Sequence, residues 1–541
     1  MKRIPLFLLL FVLQIFCLES VAKNLPRRNV YVLYDNDVHC AVDGYARFAA
    51  LRNEFRERSD YVATVSSGDF IQGGIVGSAT KGMAIVDIMN AVGYDYVTLG
   101  NHEFDYGVGT TRAIARRLKA KVVDANFCSY PSMKPLYEPY VIARYGDVKV
   151  AYVGLTTPNT PMSCSPLTFL DAEEKNYVYG FMGDSLVTYT QRQVDKAKAE
   201  GADYVVLLAH LGDYVTGQNG ITSVRLIGGT NGIDAVLDGH CHSVIEDSLV
   251  MNKDGLPVHL TSTGTKFEYM GVMTLDTLGN IATRLVRSKD YKNVDDKVAR
   301  VVEKKKNELA KKGRKLVGRS EVDMEYASAA DGIYVRRQET TLGNFFADAY
   351  RDYCGTDIAV VNGGGLRESI HKGALTLNDI FAVTPFNNSL VSGEITGQQL
   401  LDALEVAVSM LPQDDGIFLQ VSGMRFKVDT MVVADIMHNG LGMFCGIAEG
   451  SPRRVSGLQV MDRETGEFVA VEKDRIYTIC SNSYVMRDLG IEGAFGGVRN
   501  LQQRNSDEII PVLEYIKGKL NGVIPKRYSA TDGRIIIKGN E

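Results

Sequence analysis

Residues 30–39 of the chain are Val30-Tyr31-Val32-Leu33-Tyr34-Asp35-Asn36-Asp37-Val38-His39. The first five residues of this stretch are valine, leucine and tyrosine, a composition typical of a strand. Asp37 and His39 follow at once, so two polar side chains stand just past the carboxyl end of that strand. Open α/β sheets bind their ligands at this edge. The stretch therefore predicts an α/β domain with a binding site that begins at Asp37.

The same arrangement of an apolar run followed by polar residues recurs four times before residue 243. The runs YVATVSS, YDYVTLG, DYVVLLA and IDAVLDG precede Gly68-Asp69, Gly100-Asn101-His102-Glu103, His210 and Gly239-His240-Cys241-His242. One His or Asp at a strand end is more often a cap or a turn residue. Five clusters at equivalent positions instead favour one shared crevice, where distant segments meet.

These residue types suit divalent metal ions. Carboxylate and amide oxygens mixed with neutral imidazoles are ligands for Zn, Mn, Fe or Mg-class ions. Two metals about 3.5–4 Å apart need a bridging carboxylate, and Asp69 is the natural bridge because the glycine before it lets the backbone approach closely. We therefore expect two divalent metal ions as cofactors. For Cys40 and Cys241, which flank the clusters, thiolate ligation is the alternative to a packing role.

At these residues the chain resembles the calcineurin-like metallophosphoesterases, and GNHEFD, residues 100–105, resembles their 5′-nucleotidase branch. The resemblance implies an N-terminal β-sandwich flanked by helices. It also implies two ligand sets, which are Asp37, His39, Asp69 and His242 for one metal and Asp69, Asn101, His210 and His240 for the other. His102 would contact the phosphate, and Asp105 would orient His102. A surface acid in a loop is the alternative for Asp105.

A chain of 541 residues is too long for one ordinary core, and a second α/β region follows the first. Residues 293–312 predict an amphipathic helix with Val294, Val298, Val301, Val302 and Leu309 on one face. We expect a metallophosphoesterase domain over residues 23–290, a linker helix over 291–318 and a C-terminal substrate-binding domain over 319–541.

The second region resembles the nucleotide-specificity domain of 5′-nucleotidases. The matching segments are ETTLGNFFADAY at 339–350, NGGGLR at 362–367, TPFNNSLV at 384–391 and LQVSGMRFKVD at 419–429. Three glycines can present N–H groups to an anion, and Arg367 adds a guanidinium fork; a tight turn is the alternative for the glycines. The expected substrate contacts are Asn362, Gly364, Arg367, Phe386, Tyr484 and Asp488.

Phe386 and Tyr484 are expected to form an aromatic clamp on a base, although a core phenylalanine beside a turn is the alternative for Phe386. Relatives carry a GGDG loop after the second aromatic residue. This chain has SNSYVMRDLGIEG at 481–493 instead, with Asp488 as the candidate for the sugar-binding acid. The departure leaves base and ribose recognition open.

The first residues predict export. Met1-Lys2-Arg3 is basic, residues 4–18 are apolar, and a small-x-small cleavage site ends at Ala22, which is typical of a signal peptide over residues 1–22. We expect a periplasmic or extracellular protein, with lipid attachment at Cys17 as the alternative. No later segment predicts a transmembrane span. Seven cysteines remain after residue 22, and their odd number and spacing do not predict a disulfide framework.

The expected function is hydrolysis of nucleotides to nucleoside and phosphate. Alternatives are a phosphodiesterase for UDP-sugars or 2′,3′-cyclic nucleotides, and a non-catalytic nucleotide-binding protein with a decayed site. The complete ligand set argues against decay. A net charge of −5 argues against a nucleic acid polymer as partner. The oligomeric state and the identity of the metals do not follow from the sequence.

Overall fold

The computed structural model describes residues 23–538, apart from 165, 172–175, 215–220, 328–331, 387, 439–442, 487–492 and 506. The predicted signal peptide, Cys17 and Asp488 lie outside the described residues. Within the described part of the chain, no helix is long and apolar enough to cross a membrane.

Two six-stranded sheets form the first half of the chain. The first has the strand order Ile281–Arg287, Tyr269–Leu275, Val30–Asp35, Val62–Ser66, Tyr96–Val97 and Lys121–Val122. The second has the order Val244–Met251, Pro257–Thr263, Ala235–Leu237, Tyr204–His210, Val148–Thr156 and Tyr140–Tyr145. A small third sheet contains Lys134–Pro135, Cys128–Ser129 and Tyr179–Gly180.

The two large sheets pack face to face. Tyr34 and Val65 of the first sheet share one buried cluster with Tyr152 and Val206 of the second. Helices cover both outer faces. Those on the first sheet are Gly44–Arg58, Met83–Val92 and Asp296–Gly313, and those on the second are Leu186–Ala199 and Ser223–Gly228. The remaining short helices are Gly74–Ser78, Val108–Arg117 and Thr160–Ser163. The expected β-sandwich flanked by helices is therefore confirmed.

Parallel pairing aligns the strand ends that carry the polar clusters. Val30–Asp35 pairs in parallel with Val62–Ser66, which pairs in parallel with Tyr96–Val97. In the second sheet, Tyr204–His210 pairs in parallel with Ala235–Leu237. Parallel neighbours end at the same edge, so the residues that follow each strand are brought to one side of the sandwich.

The second half is also mixed α/β. Its largest sheet has the order Leu419–Ser422, Ile358–Asn362, Ile476–Asn482, Leu390–Thr396 and Arg499–Asn505. The smaller sheets contain Phe468–Ala470, Val455–Met461, Met424–Asp429 and Ile535–Lys538; Gly373–Thr376, Leu316–Ser320 and Val523–Ile524; and Ile436–His438 with Phe444–Ile447. The helices are Thr341–Cys354, Leu377–Val383, Gly397–Ala407, Ser483–Met486 and Ile509–Glu514.

Alternate residues of the strand Ile358–Asn362, the second in the order of the largest sheet, face two separate cores. Ile358 and Val360 lie in one buried cluster, and Ala359 and Val361 lie in the other. Both faces of this sheet are therefore covered, as the run of apolar residues in the strand requires.

The helix between the two halves packs on the first sheet. It spans Asp296–Gly313 and buries Val298 and Val302 among the side chains of Gly44–Arg58 and Met83–Val92. The prediction for Val294 is wrong, because the helix begins after it and 49% of Val294 is exposed. The division of the chain at residues 291–318 stays a prediction.

We expect Val298→Ala to destabilise the protein by about 1–2 kcal/mol, because it removes buried methyl groups and leaves a cavity. Val294→Ala is the matched control and should change stability by less than about 0.5 kcal/mol. The measurement is the midpoint of urea unfolding followed by circular dichroism. Equal shifts for both variants would show that this helix contributes no packing to the first half.

Candidate metal centre

The strand ends bring two groups of ligand-type side chains together. The first group is Asp37, His39 and His242, and the second is Asp37, Asp69 and His210. Within each group the candidate ligand atoms lie within 4.8 Å of one another. Both groups share Asp37, so they form one centre with two adjoining positions for a cation.

Two imidazoles face each other in the first group. The Nε2 atoms of His39 and His242 are 3.1 Å apart, and Asp37 Oδ1 is 3.5 Å from His242 Nε2. His39 Nδ1 is 2.8 Å from Gln72 Oε1, so the Nδ1–H donates there and Nε2 remains for the centre. This is the arrangement expected of a histidine ligand held by a second hydrogen bond.

Asp69 lies between the two groups. Its Oδ2 is 3.2 Å from His210 Nε2 and 3.8 Å from His39 Nε2. His210 Nδ1 lies 2.7 Å from the carbonyl oxygen of Ser67 and donates a hydrogen bond to it. This bond leaves Nε2 of His210 for the centre, as the bond to Gln72 does for His39. A carboxylate oxygen placed between histidines of both groups has the position that a bridging ligand requires.

Asn101 and His240 lie next to this pair of groups. Asn101 Oδ1 is 2.8 Å from His240 Nδ1, and the backbone N–H of His240 donates to Asp37 Oδ2 at 2.9 Å. The structure therefore brings all seven predicted ligands into one neighbourhood. Cys40 and Cys241 point elsewhere, because their thiols contact the carbonyl oxygens of Ile71 and Tyr214.

The donor set fits divalent cations on its own geometry. Asp37 Oδ1 and His210 Nε2 are buried and have no hydrogen-bond partner among the described residues. Buried polar atoms are nearly always paired, and an unpaired one requires an explanation. A cation bound between these atoms supplies it, because carboxylate oxygen and imidazole nitrogen are the ligands that such ions take.

The electrostatics agree with this fit. Burial lowers the pKa of both His39 and His240 to about 3, so both rings are neutral, as ligands must be. Burial also lowers the pKa of His210, but the carboxylates of Asp69 and Asp37 outweigh it and raise the pKa to about 10. Without another cation, His210 therefore carries the positive charge between two carboxylates. Metal binding releases such a proton.

The backbone at the centre is strained. The φ angles of Asp37, His39, Asp69, His240 and His242 are 49°, 44°, 57°, 86° and 58°. Few residues other than glycine adopt such angles, and clusters of them occur at functional sites. Gly100 is required for a steric reason, since a Cβ there would lie 2.2 Å from Asp69 Oδ1.

Glu103 holds the segment that contains Asp69, a role that the sequence analysis missed. Its carboxylate is fully buried and accepts hydrogen bonds from the backbone N–H groups of Asp69, Phe70, Ile71 and Gly100 at 2.7, 2.8, 3.2 and 2.7 Å. Four donors converge on one carboxylate, which fixes the turn after the strand Val62–Ser66.

His102 and Asp105 form a buried pair. His102 Nδ1 is 2.8 Å from Asp105 Oδ2, and only 7% of the Asp105 side chain is exposed. Asp105 is therefore not a surface acid. The His102 ring lies 5.4 Å from the His39 ring, beside the first group of ligands.

The second half of the chain covers this centre. The ring of Phe386 is 6.0 Å from that of His102, and the guanidinium of Arg367 lies 5.9 Å from the Phe386 ring. Ser78 Oγ donates to the carbonyl of Pro385 at 2.8 Å, and Lys266 pairs with Glu368 at 2.9 Å. Phe386 thus belongs to the wall of the centre.

The glycine segment differs from its prediction. The N–H groups of Gly363 and Gly364 donate to the carbonyls of Phe418 and Gly416, so these two are not offered to an anion. A Cβ on Gly363 would lie 2.1 Å from the Val335 carbonyl, so close backbone packing explains that glycine. Gly364 and Asn362 as substrate contacts stay predictions.

Tyr484 and Arg336 complete the surroundings. Tyr484 is half-buried against the hydrophobic cluster that contains Leu400 and Ile479, and its part in a base clamp stays a prediction. Arg336, which no sequence motif singled out, has a buried Nε without a hydrogen-bond partner among the described residues. Burial lowers the pKa of His242, and the charges of Arg367 and Arg336 lower it further, so both arginines act on the centre.

Comparison with known families agrees with the geometry. Residues 32–244 match the calcineurin-like phosphoesterase family, and residues 317–493 match the 5′-nucleotidase C-terminal domain family. Calcineurin-like phosphoesterases bind divalent metals. The fold and the centre therefore define a metal-dependent phosphoesterase. Within that class, the chain is similar to 5′-nucleotidases, because residues 317–493 match their C-terminal domain and relatives named 5′-nucleotidase match most of the chain.

Similar proteins span both halves. The chain is 27% identical to the trifunctional nucleotide phosphoesterase protein YfkN of Bacillus subtilis over 84% of its own length but only 31% of that protein. It is 25% identical to the 5′-nucleotidase of Rattus norvegicus, over 98% of this chain and 94% of that one. A 5′-nucleotidase precursor from Thermus thermophilus shares the fold, with 22% identity, a TM-score of 0.78 and coverage of 95% and 100%.

We expect Asp69→Asn to lower metal content and activity together while the fold persists, because the amide removes the charge between the two groups. Metal content is measured by elemental analysis, and activity on p-nitrophenyl phosphate. Asp60→Asn makes the same change on an exposed side chain and should alter neither. Full turnover by a folded Asp69→Asn protein would falsify the bridging role.

Proposed function

We propose that the chain is an exported enzyme that hydrolyses nucleotides to nucleoside and phosphate with two divalent metal ions, such as Zn or Mn. The observation that carries the proposal is the pair of adjoining ligand groups that share Asp37, with Asp69 between them and buried unpaired atoms on both Asp37 and His210. The nucleotide substrate is supported by relatives named 5′-nucleotidase and nucleotide phosphoesterase.

The proposed ligand sets follow the family pattern. Asp37, His39, Asp69 and His242 hold one ion, and Asp69, Asn101, His210 and His240 hold the other. When bound, the two ions polarise the phosphoryl oxygens and acidify a water molecule. Gln72 and the Ser67 carbonyl keep the rings of His39 and His210 turned toward the centre, which is the contribution of the protein to metal affinity.

His102 is the proposed contact to the phosphate. Asp105 accepts the hydrogen bond from its Nδ1–H, so Nε2 is the ring atom that remains for the substrate. Burial lowers the pKa of His102, but the carboxylates of Asp105 and Asp69 outweigh it and raise that pKa. In the protonated ring, Nε2–H would stabilise charge on the phosphoryl group or protonate the leaving oxygen. Since Asp105 reaches the substrate only through His102, its role is to fix the tautomer and direction of that ring.

The second half is the proposed substrate-binding domain, with residues 319–541 as its extent and 291–318 as the linker. Arg367 and Phe386 reach the centre from this side, and Arg367 supplies a cation for phosphate or sugar hydroxyls. Contacts such as Lys266 to Glu368 close the crevice between the halves. Entry of a nucleotide therefore requires these contacts to separate and form again during turnover.

A phosphate-release screen tests the substrate class. The substrates are nucleoside 5′-mono- and diphosphates, 2′,3′-cyclic nucleotides and UDP-glucose, each with and without EDTA. We expect 5′-nucleotides to be used best and EDTA to abolish the activity. Preference for a cyclic nucleotide or UDP-glucose would instead support the phosphodiesterase alternatives, and binding without any chelator-sensitive hydrolysis would support the non-catalytic one.

For His102→Ala we expect metal content to persist and kcat to fall by about 10²–10⁴-fold, the usual scale for an acid–base or charge-stabilising group. His259→Ala is the control, because His259 pairs with Asp247 near the surface, away from the strand-end clusters. Steady-state kinetics and elemental analysis give both values. Loss of metal in His102→Ala would mean that His102 is a ligand.

For Phe386→Ala and for Tyr484→Ala we expect kcat/KM for AMP and UMP to fall by a factor that corresponds to a loss of about 1–3 kcal/mol of stacking energy for each aromatic group. The loss on p-nitrophenyl phosphate should be much smaller, since that ester carries no nucleobase. Arg367→Ala should behave in the same way, with a further loss if its guanidinium meets a second phosphate. Equal losses on all three substrates would mean that the second half supports folding or closure and does not bind the nucleoside.

A further inference from the structure

Glu508 is a buried carboxylate in the second half, with only 1% of the residue exposed. Its Oε1 accepts hydrogen bonds from Thr384 Oγ1 at 2.9 Å and from Asn388 Nδ2 at 3.0 Å, and its Oε2 accepts from Tyr350 Oη at 2.7 Å. The side chain of Asn482 also hydrogen-bonds to it. Residues from three separate segments therefore meet at one side chain.

All four partners are neutral. In the described part of the chain no salt bridge includes Glu508. Burial raises the pKa of Glu508 to about 7, although its four hydrogen bonds oppose that shift. A buried carboxylate without a cation is costly, and a nonpolar side chain fills such a space at a smaller cost. The hydrogen bonds of Glu508 are thus better explained by a role in positioning the segments that it contacts than by a contribution to stability alone.

What Glu508 holds are the segments that carry Phe386 and Tyr484. Thr384 and Asn388 flank Phe386, and the backbone N–H of Glu508 also donates to the Asn388 carbonyl at 2.9 Å. Asn482 comes two residues before Tyr484, and Ser483 pairs with Ser389 through two hydrogen bonds of 2.8 and 3.2 Å. The two aromatic residues are thus joined through one carboxylate.

The third segment is tied to the same network. Asn482 Nδ2 donates to Asn362 Oδ1 at 3.2 Å, and Asn362 begins the segment that ends at Arg367. Arg367 is fixed from the other side, because its N–H donates to the Val383 carbonyl at 2.7 Å, next to Thr384. A shift at Glu508 therefore moves Phe386, Tyr484 and Arg367 relative to one another.

We propose that Glu508 is a positioning residue for substrate recognition: its carboxylate keeps the segments of Phe386, Tyr484 and Arg367 in the one arrangement that binds a nucleoside. It contacts no substrate itself. The proposal rests on the proposed function, in which these three residues bind the nucleoside. It predicts that the loss of Glu508 affects recognition of the nucleoside and leaves the chemical step intact.

The test compares four variants of the full chain with the wild type, using AMP and p-nitrophenyl phosphate. For Glu508→Ala we expect KM for AMP to rise about 10- to 100-fold, because displaced contacts weaken binding, with kcat for p-nitrophenyl phosphate within about twofold of wild type. Glu508→Gln retains an acceptor oxygen and similar shape, so KM should return to within about threefold of wild type.

Thr384→Val and Tyr350→Phe form a matched pair, and they carry the test if Glu508→Ala does not fold. Each removes one hydrogen bond to Glu508 at nearly constant volume. Only Thr384 belongs to the segment that contains Phe386, so only Thr384→Val should raise KM for AMP. Equal KM values for the two variants, or equal losses on AMP and p-nitrophenyl phosphate, would overturn the positioning role.

Phe386→Ala separates the two proposals. If it leaves the ratio of AMP to p-nitrophenyl phosphate activity unchanged, nucleoside binding by this segment is wrong, and the role of Glu508 falls with it. If it lowers that ratio while Glu508→Ala and Thr384→Val do not, the proposed function stands and the inference about Glu508 is overturned.

Discussion

The structure depends on two buried carboxylates, Asp37 and Asp69, which face the same histidines from neighbouring strands. Burying two negative charges side by side is unfavourable unless cations or hydrogen bonds compensate them. Asp37 Oδ1 accepts no hydrogen bond among the described residues. The compensating charge is that of His210, whose pKa burial lowers but the two carboxylates raise to about 10. Divalent ions compensate the two negative charges better than one imidazolium does. The buried charge that destabilises the centre therefore also gives it affinity for metal.

The backbone around these groups is strained, which is a second unfavourable contribution to the free energy of the folded protein. Asp37 and Asp69 both adopt left-handed conformations, and Glu103 fixes the turn at Asp69 by accepting four backbone hydrogen bonds. Such strain persists only where the surrounding structure is rigid. The sandwich provides that rigidity, because both faces of each large sheet are packed against buried side chains.

The second half also contains a buried carboxylate that accepts several hydrogen bonds, at a distance from the metal centre. Glu508, like Glu103, is a buried carboxylate that gathers donors from separate segments and so fixes loops that would otherwise be free. The two carboxylates order different parts of the protein. Glu103 orders the ligand turn of the centre, and Glu508 orders the segments that approach the centre from the other half, where Phe386 contacts His102. In the proposed function, catalysis and recognition are thus supported by separate networks that meet at one crevice.

Local composition and the spacing of a few residues were enough to predict the fold class, the alternation of strands with polar clusters and the residue types that suit divalent metals. The sequence could not determine that the N–H groups of Gly363 and Gly364 are used within the backbone. Nor could it select Glu103 or Glu508. Their partners lie up to 34 and 158 residues away, and only the tertiary structure brings them within hydrogen-bonding distance. Sequence spacing carries no information about contacts at that separation, and the sheet order and packing of the two halves decide them.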